Sequence, residues 1–231
     1  MKASVRVLLV GAAGRMGQTI VKLAKSASNI DIVAQCDCGD AIEPAMRKCD
    51  VVIDFSHADA IEGICGAALQ HRQPLVIGTT GHSSEQRRVI EKAGESLPIV
   101  FASNFSVGVN ALFSLTRKAA EILGPEFDLG IVETHHRTKK DAPSGTAKTL
   151  AEILRTARKL DDQVPIQSFR EGEVLGDHTV SFAGPGERLE LTHRASSREI
   201  FARGALRAAQ WIIGKPAGLY TMQDVLGLLN L

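Results

Sequence analysis

The sequence predicts an α/β protein: a doubly wound parallel sheet, then a second domain beginning near Val107 with an antiparallel or mixed sheet of its own. Three observations predict it. Short β-branched runs alternate with helical stretches through the first half, the first run ends in a glycine-rich turn, and the alternation stops after Phe101. With 231 residues, 44% of them hydrophobic, the chain suits one large or two small domains with a genuine core.

The first strand is Val5–Val10, a buried-type run stopped by Gly11. Further strands are expected at Ile30–Cys36, Val51–Asp54, Leu75–Ile77 and Ile99–Phe101. Helices are expected near Met16–Ser26, Ala58–His71 and Ser84–Ala93, the last opened by Ser83 with Gln86 three residues on, a capping box. Val107–Leu123 then reads as one long helix and Asp128–Thr134 as a strand running into a polar stretch. Gly145–Leu160 is helical, and Val180–Ala183 and Arg188–Thr192 are strands around the turn Gly184-Pro185-Gly186-Glu187. Helices Ser197–Ile213 and Thr221–Leu229 close the chain.

Composition removes several function classes. The 27 basic and 26 acidic side chains leave a formal charge of +1, and aromatics make up 4%, so the basic field and stacking surface of a nucleic-acid binder are missing. The apolar run Val7 to Val10 meets Gly11 too early for a signal-peptide core or a span of ~20 apolar residues, so a soluble, cytoplasmic protein is expected. Cys36, Cys38, Cys49 and Cys65 contain no C-x-x-C pair and are read as buried thiols, with no metal site.

Two segments carry chemistry. The first is Val7 to Gly17, a strand, a glycine turn and a helix, which is the layout of a dinucleotide site. Gly11 permits the tight turn, Gly14 lets backbone approach a pyrophosphate, Gly17 allows close helix packing, and the helix start offers free N–H groups and a positive dipole. Asp37 lies 20 residues past Gly17, at the end of the second strand, where a carboxylate can bind both hydroxyls of an adenosine ribose. The turns Gly78-Thr79-Thr80-Gly81 and Ser103-Asn104-Phe105-Ser106 follow later strands on the same sheet edge, where they would face a nicotinamide and its ribose.

The second segment runs from Glu133 to Thr146 and packs His135, His136, Arg137, Lys139 and Lys140 ahead of Ser144-Gly145-Thr146 at a helix start. Ser144, Gly145 and Thr146 can present N–H groups and hydroxyls to an anion, and His136 or Lys139 could pair with a second carboxylate. His135 can titrate near neutral pH, as histidines do, and Lys139, four residues on, could donate a proton. Arg137 and Lys140 read as solvated charges. A small dianionic substrate fits this pattern.

These residues resemble the 4-hydroxy-tetrahydrodipicolinate reductase (dihydrodipicolinate reductase) family. The resemblance rests on Gly11–Gly17, Gly78–Gly81, Ser103–Asn110, His135-His136-Arg137, Lys139, Asp141–Ala147, Arg170-Glu171-Gly172 and Ala195–Arg198, with the histidine pair followed by D-A-P-S-G-T-A the most specific part. It implies a Rossmann-type cofactor domain of residues 1–106 plus 199–231, and a substrate-binding α+β domain of residues 107–198 whose mixed sheet assembles a homotetramer. It also implies reduction of 4-hydroxy-tetrahydrodipicolinate with NADH or NADPH in lysine and diaminopimelate synthesis.

By the same resemblance, His135 and Lys139 are the proton-donating pair, His136 touches substrate, and Gly145 with Thr146 clamps a substrate carboxylate, beside Ser144, which the residue pattern itself marks for substrate. Gly11, Ala12, Ala13, Gly14, Arg15, Met16, Asp37, Gly78, Thr79, Thr80 and Ser103, Asn104, Phe105, Ser106 contact the cofactor. Two departures bear on the adenine side: Asp37 is followed by Cys38 where the family often has arginine, and the stretch to Asp50 is short. NADH is therefore expected to be preferred or well used, with NADPH possible. The rival readings are another reductase of a small oxo or imino dicarboxylate and a non-catalytic NAD sensor. A short-chain dehydrogenase is excluded, because the single tyrosine, Tyr220, is followed four residues later by Asp224 instead of lysine.

Overall fold

The computed structural model describes residues 4–228. They divide into two compact units, 4–106 with 199–227, and 107–198 with Leu228. Leu228 departs from the expected boundary because its carbonyl accepts from Ser114 Oγ at 3.4 Å in the second unit. Residues 229–231, which include the expected end of the last helix at Leu229, lie outside the described residues.

In the first unit, strands β1 (Val5–Val10), β2 (Ile30–Cys36), β3 (Val51–Asp54), β4 (Leu75–Ile77), β5 (Pro98–Phe101) and β10 (Gly218–Tyr220) form a parallel sheet of order β10-β5-β4-β3-β1-β2. Its central strands are apolar on both faces, as a sheet covered twice requires. Helices α1 (Arg15–Ala24) and α7 (Glu199–Trp211) pack on one face through Ile20, Ala24, Ala202, Ala205 and Ala209. The other face is covered by α2 (Glu43–Met46), α3 (Ile61–His71, preceded by the 3₁₀ turn Ala58–Ala60) and α4 (Ser84–Gly94), through Met46, Ile64, Ala68 and Ile90. The Ser83–Gln86 capping box forms, with reciprocal bonds of 3.2 and 2.8 Å. The closing helix α8 (Met222–Leu226) ends earlier than expected because Gly227 takes a left-handed conformation.

The second unit holds α5 (Val107–Ile122), β6 (Asp128–His135), α6 (Gly145–Arg158), β7 (Ile166–Arg170), β8 (Asp177–Gly184) and β9 (Glu187–Arg194). The sheet order is β7-β6-β8-β9, with β7 parallel to β6 and the other pairs antiparallel, so the sheet is mixed. Along β6, Ile131, Glu133 and His135 alternate into the interior, and along β8 so do His178, Val180 and Phe182. Val109, Leu112 and Phe113 of α5 with Ala147, Leu150 and Leu154 of α6 cover that face. Two polar residues, Glu133 and His178, thus stand at core positions opposite one another across β6 and β8.

Candidate active site

The dinucleotide half of the site belongs to the first unit. Strand order reverses between β1 and β3, where the carboxyl ends of adjacent strands diverge and ligands bind in open α/β sheets. Gly11 turns the chain there with φ +83°, and any side chain on it would strike the Phe55 carbonyl that follows β3. Gly17 sits against the Gly11 and Ala12 carbonyls, which brings α1 close under the turn. Gly14 is the N-cap of α1 and has no side chain to occupy the first-turn N–H groups, so that end is open to a pyrophosphate.

A cavity of about 630 Å³ adjoins this turn. Gly11, Gly14 and Asp37 line it, together with Cys38, Asp40, Phe55, Ser56, His57 and Asp59. The Asp37 carboxylate accepts the Ala13 N–H through both oxygens at 3.0 Å, which pins the end of β2 to the glycine turn. Cys38, expected to be buried, is exposed on the loop after β2, whereas burial encloses Cys36, Cys49 and Cys65 and pushes the last two thiols up to about 11 and 12. Ala12 is buried, Arg15 is exposed, and Met16 packs against the core beneath α1.

The two later turns do not line this cavity. Gly78 faces the Phe55 ring so closely that a side chain there would clash, and Phe55 packs on Phe105 with ring centroids 5.7 Å apart. Thr79 is buried beside Asp54, and Thr80 is exposed. Burial pushes the Asp54 carboxyl up, while hydrogen bonds from Ser56 and Thr79 oppose that rise. Asn104 Oδ1 accepts the Ser106 N–H at 2.9 Å, and the Phe105 carbonyl lies against Gly204 of α7, a helical glycine whose absent side chain makes room for it. Ser103 is exposed.

The acid–base half belongs to the second unit and is built on Glu133, which is fully buried. Its neighbours follow from strand register: Ser168 on β7, His178 on β8 and, one strand further, His193 on β9. Glu133 Oε1 accepts from Arg170 at 2.9 Å and from the Ser144 N–H at 3.2 Å, and Oε2 lies 2.6 Å from His135 Nδ1. Burial alone would push this carboxyl up, but hydrogen bonds from Ser168, Arg170 and Ser144, with His135 beside it, hold it at about 2. It is ionised.

Burial lowers the His135 proton affinity, against the pull of Glu133 and with the push of Lys139 and Arg170. The His135 and His178 rings meet edge to face, 5.1 Å between centroids. His178 Nε2 lies 3.1 Å from Ser144 Oγ, and burial first, then His135, holds this ring down to about 4, so it is neutral. Ser144 Oγ also caps α6 by accepting from Ala147 N–H at 3.2 Å. Ser144 therefore ties the start of α6 to both Glu133 and His178. Beyond it, Gly145 borders open space and Thr146 is half-buried.

The remaining residues of the segment stand apart from Glu133. His136 Nδ1 bonds Thr138 Oγ1 at 2.8 Å, Lys139 Nζ bonds Asp141 at 2.7 Å, and Arg137 and Lys140 are exposed. Glu133, His135 and His178 place three possible metal-ligand atoms within 4.8 Å of one another, but the Arg170 guanidinium on the same carboxylate competes with any cation there. Sequence reasoning assigned no role to Glu133, Arg170, His178 or the Phe55-Ser56-His57 turn. The signal for Glu133 and His178 was a charged or polar residue at apolar parity in a strand, Ile131-x-Glu133-x-His135 and His178-x-Val180-x-Phe182.

Fold and site together define a class: a two-unit α/β protein with a dinucleotide-type parallel sheet in one unit and a buried Glu133–His135–His178 cluster at a helix start in the other. Family models described as the dihydrodipicolinate reductase N-terminus and C-terminus match residues 5–105 and 108–226. The chain belongs to the dihydrodipicolinate reductase family. It is 51% identical, over 98% of its length and all of the relative's, to the 4-hydroxy-tetrahydrodipicolinate reductase of Akkermansia muciniphila. The protein of that name from Zymomonas mobilis is 44% identical over 98% of this chain and 99% of its own. Among solved structures, a dipicolinate-bound dihydrodipicolinate reductase from Paenisporosarcina sp. TG-14 superposes with a TM-score of 0.82 at 25% identity, covering 96% of this chain and 98% of that one.

Proposed function

We propose that this chain reduces 4-hydroxy-tetrahydrodipicolinate to tetrahydrodipicolinate with a reduced nicotinamide nucleotide. The observation that carries this reading is the placement of a proton donor and an anion clamp on one carboxylate: Glu133 faces His135 through one oxygen and holds the Ser144 start of α6 through the other. The reaction exchanges a ring C–OH for C–H, so one hydride and one proton are consumed and water leaves. Bound against the Gly11–Gly14 turn, a reduced nicotinamide nucleotide supplies the hydride.

The chain's own groups supply the rest. Gly145 and Thr146 at the start of α6 receive one substrate carboxylate, with N–H groups and a hydroxyl in the field of the helix dipole. His136 and Lys139 face the other. Hydride attack on a ring carbon conjugated with an imine leaves electron density that a proton must quench, and His135 and Lys139 provide it. Their cationic forms also stabilise the developing charge before the proton moves. Following NADH oxidation with the product of dihydrodipicolinate synthase, beside simple 2-oxo acids with ammonia, tests the assignment. Turnover of the former is expected, and turnover of the 2-oxo acids alone would transfer the chain to the rival reductase class.

For the cofactor, we propose that NADH is preferred or at least well used. Asp37, Asp40 and Asp59 line the cavity, and carboxylates there repel a 2′-phosphate. Steady-state kinetics with both nucleotides check this, and a kcat/KM for NADPH about tenfold above that for NADH, a difference of about 1.4 kcal/mol, would refute it. A cytoplasmic location belongs to the same reading, supported by four cysteines that form no disulfide.

A further inference from the structure

We infer that Glu133 is the positioning residue of the acid–base site, fixing His135 with its hydrogen on Nδ1 and so assigning Nε2 as the nitrogen that delivers the proton. The inference rests on the proposed reaction for its catalytic consequence, but its structural part stands alone. Three features of the structure carry it. Glu133 is fully buried, and its Oε1 already accepts from Arg170 and from Ser144, so the carboxylate is held from two sides. Its other oxygen lies 2.6 Å from His135 Nδ1, too close for two bare lone pairs to face each other, and an ionised carboxylate has no hydrogen to give, so the hydrogen is assigned to Nδ1. At the opposite edge of the ring Gly176 packs closely without a side chain: a β-carbon there would stand 3.0 Å from Nε2 and crowd that nitrogen.

The proton balance follows. In the free enzyme His135 is neutral, with Nδ1–H toward Glu133 and a lone pair on Nε2. A dianionic substrate raises the proton affinity of the ring, Nε2 takes a proton from water, and the Glu133 carboxylate stabilises the imidazolium through Nδ1–H. As hydride reaches the ring carbon, the N–H bond at Nε2 breaks, its electron pair stays on the imidazole, and the proton joins the substrate. His135 is left neutral, in the tautomer from which it began. Without the carboxylate, the hydrogen of the neutral ring would be free to sit on either nitrogen, and the cation would lose its neighbour of opposite charge.

The test uses the intact protein labelled with ¹⁵N-histidine. In the unsubstituted chain near pH 8, two-bond ¹H–¹⁵N correlations, with the His135 signals identified by their loss in His135→Ala, should show protonated Nδ1 and bare Nε2. No substrate is needed, so this readout survives failure of the proposed reaction, and protonated Nε2 would overturn the inference. In Glu133→Gln the amide oxygen still accepts from Ser144, while the NH2 that replaces Oε2 donates toward His135 Nδ1 and favours the opposite tautomer. There kcat should fall by about 10- to 100-fold, less than removal of the acid itself, with KM and NADH affinity changed by no more than about threefold. Glu133→Asp should recover part of the loss. A kcat for Glu133→Gln within about twofold of the parent would overturn the catalytic part of the inference.

Discussion

At the scale of single residues, the acid–base half of the site is unequal by design. His135 is buried and held by Glu133, whereas Lys139 and His136 lie on the half-buried loop with local partners of their own. A positioned acid is worth ~10²–10⁴-fold, so His135→Ala and Lys139→Ala should each lower kcat by a factor of that order while fluorescence titration shows NADH binding unchanged. His136→Ala should instead raise substrate KM with little effect on kcat, because it removes a contact made equally in ground and transition states. If both the His135 and Lys139 substitutions left kcat within about twofold, neither side chain would have a catalytic role.

Elements decide how those residues meet. The start of α6 is held by Ser144 to Glu133 and His178, so the N–H groups of Gly145 and Thr146 are presented from a fixed frame. Pyridine-2,6-dicarboxylate offers two carboxylates at the ring separation this frame and the His136–Lys139 loop are proposed to bind, and it should inhibit competitively against substrate. Thr146→Val removes one hydrogen bond to a charged group, about 1.5–3 kcal/mol, and the inhibition constant should rise roughly ten- to hundredfold. An unchanged constant would place the dicarboxylate elsewhere. The buried row across β6 and β8 makes a second prediction. His178 titrates near 4 in the fold against 6.5 as a free side chain, and Glu133 near 2 against 4.5. Both are depressed, so both contributions are fully present above pH 6.5 and are lost on acidification, that of His178 between 6.5 and 4 and that of Glu133 between 4.5 and 2. For His178 the loss is on the order of 2–3 kcal/mol. Urea midpoints measured at pH 7, 5.5 and 4.5 should fall in that order, and His178→Gln should flatten the series; a parent midpoint independent of pH would contradict it. The parallel sheet was legible because β1, β3 and β4 are dense apolar runs and β2 alternates apolar with polar residues, and capping chemistry marked α4. β7 and β10 were missed: Ile166-Gln-Ser-Phe-Arg170 mixes polar residues into an edge strand, and Gly218–Tyr220 is a three-residue strand opened by glycine. α2 was missed because Pro44 heads a helix of four residues. Glu133 and His178 escaped because their partners are set by register between distant strands, which spacing along the chain does not display.

For the whole molecule, the sheet of the second unit poses the remaining question. One face is filled by α5 and α6, but on the other, among the described residues, no element of that unit packs. That face carries Phe169, which is half exposed at 50% and pairs with Thr134 on β6. Thr179 and Thr192 bond each other across it at 2.9 Å. A four-stranded sheet with an exposed edge and an uncovered face tends to be completed by association, since unpaired strand groups and apolar side chains both gain from a partner. Closed symmetric assemblies are the usual outcome. Together with the family resemblance, this leads us to expect a homotetramer assembled through that sheet. Light scattering at micromolar concentration should then give a mass near four times the 24.7 kDa of the chain. Phe169→Glu should shift the mass toward smaller species by placing a charge in the buried face. A parent mass near 24.7 kDa would show that the sheet stands uncovered in solution, and the exposed phenylalanine would then require another explanation.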